Sequence, residues 1–96
     1  MTKLKALIVD DDPLALMLLR EKLNKYPNIS IIAECKNGRE AIAATLELAP
    51  DLIFLDIKMP EIDGFGVIKK LQTDILPLII FVTAYKQHAF DAFDVN

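Results

Sequence analysis

Acidic residues close two short apolar runs in this sequence, and carboxylates in that position can do chemistry. Asp56 follows the run 52–55 (Leu-Ile-Phe-Leu), and Asp10 and Asp11 follow the run 4–9 (Leu-Lys-Ala-Leu-Ile-Val). Short apolar runs bounded by turn signals are typical of buried strands, and open α/β folds bind ligands at the carboxyl ends of parallel strands. Because clustered carboxylates repel each other, they persist mainly where a cation or a reaction uses them. The pattern predicts one acidic pocket built from both strand ends.

The elements that must position these acids alternate between strand and helix along the whole chain. Pro13 suits the first turn of a helix, and Asp12 before it is a good N-cap. The pattern predicts strands at 4–9, 29–34, 51–56 and 77–83, and helices at 13–25, 39–48, 64–73 and from 85 to about 93. This alternation with short connections is typical of a parallel sheet covered on both faces. The predicted fold class is therefore α/β, with a single domain over residues 1–96.

Apolar residues at helical or strand spacing give a first prediction of the core. In helix one, Leu14, Met17, Leu18 and the Lys22/Leu23 turn form an apolar stripe that we expect to be buried, while Arg20 should be solvated. In helix three, Phe65, Ile68 and Leu71 share one apolar face, which we expect to be buried. The fourth strand, 77–83, is almost wholly apolar, which predicts burial on both faces. Gly64 is expected to relieve the turn into helix three.

The composition narrows the function classes. Of the 96 residues, 53% are hydrophobic and 26% are charged, with a net charge of −3, and no Lys/Arg cluster points to a nucleic-acid-binding surface. No signal peptide is visible, and no apolar stretch reaches the roughly 20 residues that a membrane span requires. We therefore expect a cytoplasmic protein with no membrane association. The single cysteine, Cys35, excludes a disulfide framework and is expected to be an apolar filler at a strand end.

Three stretches of the sequence together resemble the receiver domain of two-component response regulators (the CheY-like family). They are 8–13 (Ile-Val-Asp-Asp-Asp-Pro), 55–64 (Leu-Asp-Ile-Lys-Met-Pro-Glu-Ile-Asp-Gly) and 81–84 (Phe-Val-Thr-Ala). The resemblance covers the whole chain in order, and Met-Pro followed by Asp-Gly is its most specific signal. It implies a flavodoxin-like, doubly wound parallel sheet and two-component signal transduction as the function.

The resemblance also implies a role for each site residue. Asp56 would be the phosphoacceptor, taking a phosphoryl group from a sensor histidine kinase, and Thr83 would be the switch residue that hydrogen-bonds the phosphoryl group. Mg²⁺ would be bound by Asp11 directly, by Asp10 through water, by Asp56 and by the backbone carbonyl of Lys58. A hard divalent ion suits a carboxylate cluster and offsets the charge of a carboxylate that attacks a phosphoryl group. Such a protein is a phosphoacceptor with at most slow self-dephosphorylation, not an enzyme.

The sequence departs from the family pattern at its end. Receivers carry a fifth strand, a fifth helix and a lysine that pairs with the phosphoryl group, and this chain ends at Asn96 before all three. We therefore expect a C-terminally truncated receiver with weakened phosphorylation at Asp56. We also expect an exposed edge on strand four that favours a homo-oligomer. The segment 88–96 resembles receivers of the LytR/AlgR type, whose parent proteins continue into a LytTR DNA-binding domain. DNA would then be bound only through a domain that is absent from this chain.

Two rival functions stay open. The first is a receiver-fold interaction or dimerisation module that is not phosphorylated, because the lysine and the fifth strand are missing. The second is a haloacid-dehalogenase-like phosphatase, whose Asp-x-Asp motif fits 10–12 and whose later Thr fits Thr83. That rival leaves the segment 56–60 unexplained, and similarity of fold alone is weak support for a function.

Overall fold

Strands and helices alternate along the chain in the computed structural model, which describes residues 3–71 and 76–82. The elements are β1 (Leu4–Val9), α1 (Pro13–Leu23), β2 (Ile29–Cys35), α2 (Gly38–Leu48), β3 (Leu52–Leu55), α3 (Gly64–Lys70) and β4 (Leu78–Phe81). The strands form one parallel sheet in the order β2-β1-β3-β4. The predicted α/β, flavodoxin-like, doubly wound fold is confirmed. The predicted fourth helix and the predicted ends of α3 and β4, at Thr73 and Thr83, lie outside the described residues.

The register of the central strands brings the acidic strand ends to one level. Val9, the last residue of β1, pairs with Leu55, the last residue of β3. The backbone N–H of Asp56 donates to Val9 O at 3.0 Å, and the N–H of Asp10 donates to Cys35 O, also at 3.0 Å. Because all the strands are parallel, the residues that follow them emerge at the same edge of the sheet.

Each central strand supplies both faces of the sheet, because successive side chains point in opposite directions. The larger core lies between the sheet and helices α2 and α3, and it contains Leu7, Val9, Cys35, Ala41, Ile53, Leu55, Met59, Val67 and Leu71. The smaller core lies under α1 and contains Ile8, Leu16 and Leu23, with Phe54 packed against it. Cys35 is a buried member of the larger core, as expected, and burial raises the pKa of its thiol to about 11.

Helix α1 buries only the end of the predicted stripe. Leu23 is buried as predicted, whereas Leu14, Met17 and Leu18 are exposed and Leu16 is buried instead. Every side chain from 14 to 19 is apolar, so the periodicity could not show which stripe faces the sheet. The Arg20 side chain, predicted to be solvated, is 43% exposed and also forms a two-pronged ion pair with Glu34 of β2, with Nε and Nη2 donating to the two carboxylate oxygens at 2.5 and 2.8 Å. This pair lies on the side of α1 that faces β2.

The predictions for β4 and α3 also need correction. Leu78 is 65% exposed and Phe81 is 39% exposed, so β4 is not buried on both faces. Among the described residues β4 pairs with β3 alone and forms an edge of the sheet, which leaves fewer neighbours to cover it. On the predicted face of helix three, Phe65 is exposed and packs its ring against Phe81, with centroids 5.2 Å apart, whereas Leu71 is buried and Ile68 packs against the larger core, as expected. Val67 of α3 is also buried.

Side-chain caps begin all three helices. Asp12 caps α1 by accepting from Leu14 N–H at 3.0 Å, as predicted. Asn37 caps α2 by accepting from Glu40 N–H at 2.8 Å, and the Glu40 carboxylate accepts from Lys36 N–H at 3.0 Å. This reciprocal capping box starts α2 at Gly38, one residue before the predicted start. None of the helices within 3–71 and 76–82 has the length and apolar character that crossing a bilayer requires.

Candidate functional site

Three of the predicted site residues converge at the carboxyl edge of the sheet. One carboxylate oxygen from each of Asp10, Asp11 and Asp56 lies within 4.8 Å of the other two. Asp10 and Asp11 directly follow β1, and Asp56 directly follows β3, so the pairing of two adjacent strands creates the cluster. The predicted acidic pocket is therefore present in the structure.

The three consecutive aspartates after β1 have different surroundings. Asp10 is 6% exposed, and its Oδ1 accepts from Asp12 N–H at 2.9 Å. Asp11 is exposed to solvent. Asp12 caps α1, as the sequence predicted. Of the three, Asp10 therefore has one oxygen committed to the backbone, and Asp11 is the member of the cluster that solvent or a ligand can reach.

Asp56 is the most buried acid of the cluster. The residue is 2% exposed, and its side-chain Oδ1 has no hydrogen-bond partner among residues 3–71 and 76–82. Burial, together with the nearby charges of Asp10 and Asp11, raises the pKa of Asp56 to about 6, although hydrogen bonds from the backbone of Lys58 and Ile57 oppose the rise. An unsatisfied buried carboxylate oxygen is costly. Something outside the described protein atoms is expected to compensate for it.

Asp10 shows the same electrostatic pattern more weakly. Burial raises its pKa above the usual range, the backbone N–H of Asp12 opposes the rise, and the charges of Asp11 and Asp12 add to it. Two buried acids whose ionised forms are both disfavoured form a site at which a cation would lower the free energy of the folded protein.

The donor set fits Mg²⁺. Three carboxylate oxygens at short mutual distances suit a hard divalent cation, and the Asp56 oxygen without a partner is one that a cation could satisfy. The exposure of Asp11 leaves a route for water to remain on the ion, which Mg²⁺ usually requires. Lys58, whose carbonyl is the fourth predicted ligand, is exposed and lies two residues after Asp56. Its backbone forms a hydrogen bond with the Asp56 carboxylate. Thr83, the predicted switch residue, lies outside the described part of the chain.

The structure indicates a role for Gly64 that differs from the one predicted from the sequence. Its N–H donates to Ile57 O at 2.7 Å, and a Cβ at this position would lie 2.6 Å from Asp56 O. No glycine of the described residues has a positive φ, so the turn geometry that we expected is not the reason for a glycine here. Gly64 directly follows the helix-capping Asp63, a position at which the backbone conformation does not require a glycine. A glycine at such a position is the sequence signal that could have indicated a close contact.

Comparisons with known proteins agree with this geometry. The family model described as the response regulator receiver domain matches residues 6–95. An uncharacterized response regulatory protein of Yersinia pestis is 47% identical over 91 residues, and the transcriptional regulatory protein BtsR of Escherichia coli K12 is 44% identical over 91 residues; each match covers 95% of this chain and 38% of the relative. The chain therefore spans less than half the length of these curated relatives.

Solved structures give the same result for the fold. The response regulatory domain of MrkE from Klebsiella pneumoniae is 33% identical with a TM-score of 0.76, and the match covers 94% of this chain and 75% of that one. The response regulator domain of Thermotoga maritima CheB is 29% identical with a TM-score of 0.75, covering 93% of this chain and 72% of that one. These comparisons favour the receiver over the dehalogenase-like phosphatase.

Proposed function

Because the chain belongs to the response regulator receiver family, we propose that it accepts a phosphoryl group on Asp56 with the help of Mg²⁺. One observation carries the proposal: Asp56 is buried beside Asp10 and Asp11 and has an oxygen without a partner among the described residues. Asp11, Asp56 and the backbone carbonyl of Lys58 would bind the ion directly, and Asp10 would bind through water. Bound Mg²⁺ supplies the positive charge that offsets repulsion between carboxylate and phosphoryl oxygens.

The nucleophile in this proposal is a carboxylate oxygen of Asp56. It forms a bond to phosphorus while the phosphorus–nitrogen bond of a phosphohistidine on a sensor histidine kinase breaks, and the imidazole leaves with the electron pair. The product is an acyl phosphate on Asp56, which water later hydrolyses. With a pKa of about 6, the carboxyl group is mostly ionised at neutral pH and can attack. The protein then acts as a phosphoacceptor and not as an enzyme with multiple turnovers.

The switch function is proposed for Thr83. The N–H of Val82, the preceding residue in the sequence, donates to Leu55 O at 3.0 Å, so Val82 lies beside the end of the strand that Asp56 follows. This position of Val82 supports the proposal. Exchanging Thr83 for Ala is expected to leave phosphorylation intact and to remove the conformational response to it.

The partners follow from the family and from the relatives. A sensor histidine kinase would donate the phosphoryl group in the cytoplasm. Because the chain spans 38% of the length of relatives that include transcriptional regulatory proteins, we propose that it is the receiver part of a longer protein that acts on DNA through an output domain. The assignment to the LytR/AlgR type, with a LytTR output domain, and the truncation before strand five stay predictions.

A phosphorylation assay tests the proposal directly. The protein is incubated with Mg²⁺ and a small acyl phosphate, and intact mass is measured; we expect one added phosphoryl group, which is lost in Asp56→Asn and when Mg²⁺ is chelated. Asp51→Asn is the matched control, because Asp51 lies just before β3, at the opposite end of the strand from Asp56. An unlabelled wild type, or equal labelling of Asp56→Asn, would contradict the proposal. A phosphomonoester substrate should show no turnover.

The β4 edge supports a second candidate function, the interaction module. Among the described residues β4 is hydrogen-bonded on one side, and Leu78 on it is exposed. Open strand edges pair readily with other strands, so we propose that a second copy of this chain pairs there. Sedimentation at high micromolar concentration should then show a dimer that Leu78→Lys weakens; a wild type that sediments as a monomer would exclude this module.

A further inference from the structure

We propose that Gly64 is a positioning residue for the metal site, because it fixes the backbone that joins Asp56 to Lys58. The inference rests on the proposed function, since Asp56 and the Lys58 carbonyl are the ligands that it would position. Gly64 itself touches neither ion nor substrate in this account. Its contacts are with the backbone of the two residues that lead to the Lys58 ligand.

The first contact is a hydrogen bond. The Gly64 N–H donates to Ile57 O at 2.7 Å, while on the other side the Asp56 N–H donates to Val9 O at 3.0 Å. The segment that carries the two proposed ligands is thus held by β1 at its start and by the first residue of α3 in its middle. A carbonyl held in this way fixes the orientation of the peptide that joins Ile57 to Lys58.

The second observation is that there is no space for a side chain at Gly64. A Cβ on Gly64 would lie 2.6 Å from Asp56 O, 3.0 Å from Ile57 Cα and 3.3 Å from Asp56 C. All three atoms belong to the backbone, so no flexible side chain can move aside. Gly64 has no positive φ that would need a glycine. The glycine is therefore explained by its close approach to the acceptor segment, and a methyl group here must displace either α3 or that segment.

A displacement of a few tenths of an ångström is enough to affect the proposed ion. Mg²⁺ demands near-ideal octahedral geometry with short ligand distances, so it tolerates shifted ligands poorly. Outer contacts that orient metal ligands typically change affinity by 10- to 100-fold when they are removed. We therefore expect Gly64→Ala to weaken Mg²⁺ binding by at least about tenfold.

Gly38→Ala provides a matched control elsewhere in the fold. A Cβ on Gly38 would also be crowded, lying 2.8 Å from Ile62 Cβ and 2.9 Å from Ile62 O, but its three nearest atoms all belong to Ile62 and none to Asp56 or Ile57. Both substitutions add one methyl group to a tightly packed helix start, so both should destabilise the fold. A purely structural role for Gly64 predicts that the two variants bind Mg²⁺ equally well. A positioning role predicts that Gly64→Ala alone loses affinity.

Calorimetric titration of Mg²⁺ into wild type, Gly64→Ala and Gly38→Ala makes the test. We expect the dissociation constant for Mg²⁺ to increase at least about tenfold in Gly64→Ala and to change by less than about threefold in Gly38→Ala. Equal affinities of the two variants would overturn the positioning role and leave the proposed function intact. A wild type that binds no Mg²⁺ would overturn the proposed metal site and this inference together.

An exchange measurement on the wild type covers the case in which Gly64→Ala does not fold. Coupling between two sites is reciprocal, so Mg²⁺ should slow hydrogen exchange of the Gly64 amide if Gly64 positions the metal ligands. The Ala41 amide, which donates to Asn37 O at 3.1 Å at the start of α2, is the reference. We expect Mg²⁺ to slow exchange at Gly64 at least about fivefold more than at Ala41. Equal slowing at the two amides would contradict the inference.

Discussion

The centre of the sheet and its β4 edge are made of similar apolar residues but differ in burial. Leu52 and Leu55, the first and last residues of β3, are buried, whereas their partners on β4, Leu78 and Phe81, are exposed. β3 has a paired strand on both sides, and β4 has one on a single side among the described residues. The comparison shows that a strand's place in the sheet, and not its hydrophobicity, decides how far it is buried.

The same difference explains where the acids are. Asp10 and Asp56 follow the two central strands, β1 and β3, and are buried because neighbouring strands and loops surround those ends. The low polarity of that position raises the pKa of both carboxyl groups. Rigid packing beneath the acids holds them in place, and the cost of burying their charge can be offset by a bound cation.

The largest expected effect tests the central strand against the edge strand. Ile53→Ala removes a fully buried side chain and should lower the free energy of unfolding by about 3–4 kcal/mol. Leu78→Ala removes a mostly exposed one and should lower it by less than about 1 kcal/mol. Urea denaturation of both variants measures the difference. Losses of equal size would show that the edge is as well packed as the centre.

A second prediction concerns the cost of the buried acceptor. In the folded protein the pKa of Asp56 is raised from 3.8 to about 6, so its contribution to stability is fully present below the unfolded pKa and is lost as pH rises through about 6. Asp56→Asn cannot ionise and avoids this loss. Without divalent ions, the stability of Asp56→Asn relative to wild type should therefore increase by about 1–3 kcal/mol between about pH 4 and pH 7.5.

Denaturation at both pH values measures that increase. Glu47→Gln, a neutralised acid on the exposed side of α2, is the control and should show no such increase. A stability difference between Asp56→Asn and wild type that does not change with pH would contradict the burial of an ionisable acceptor.

A smaller effect is expected at the two residues with left-handed backbone. Ala49, at the end of α2 on the edge away from the acids, has φ 47°, and Glu61, in the loop after β3, has φ 68°. Non-glycine residues are strained there, so Ala49→Gly and Glu61→Gly should each stabilise the protein by about 0.5–1 kcal/mol. The exposed pair of Glu61 with Arg39 should contribute little. Thermal unfolding measures the effect, and a lower unfolding midpoint in either glycine variant would contradict the expected stabilisation.

The smallest effect concerns the two apolar stripes of α1. Leu18 lies on the exposed stripe and Leu23 on the buried one. Leu18→Gln should change the free energy of unfolding by no more than about 0.5 kcal/mol, whereas Leu23→Ala should cost about 2–3 kcal/mol. If Leu18→Gln proved the more damaging change, Leu18 would face the core as the sequence predicted, and the observed orientation of α1 would be contradicted.

The sequence predicted the fold and the acid cluster because both depend on local patterns. Short apolar runs ended by turn signals gave all four strands, and alternation with helices gave the parallel sheet. Asp10, Asp11 and Asp56 were then expected to meet, because the carboxyl ends of parallel strands share one edge. The Asp12 cap was predicted for the same reason, since a cap depends on residues adjacent in sequence.

Burial and close backbone contacts could not be predicted in the same way. The all-apolar stretch 14–19 fits several helix orientations, and the one observed depends on which of its leucines packs with Ile8 in the core. The exposure of β4 depends on which strands flank it. The contact of Gly64 with Asp56 joins residues eight positions apart through the path of a loop, which no periodicity reveals.

A Mg²⁺ titration tests the central claim most directly, namely that Asp10, Asp11 and Asp56 share one divalent ion. Calorimetry on wild type, Asp11→Asn and the control Asp51→Asn should give one ion per chain for wild type and control, and at least tenfold weaker binding for Asp11→Asn. Unchanged affinity in Asp11→Asn, or no binding to the wild type, would contradict a shared metal site at these three carboxylates.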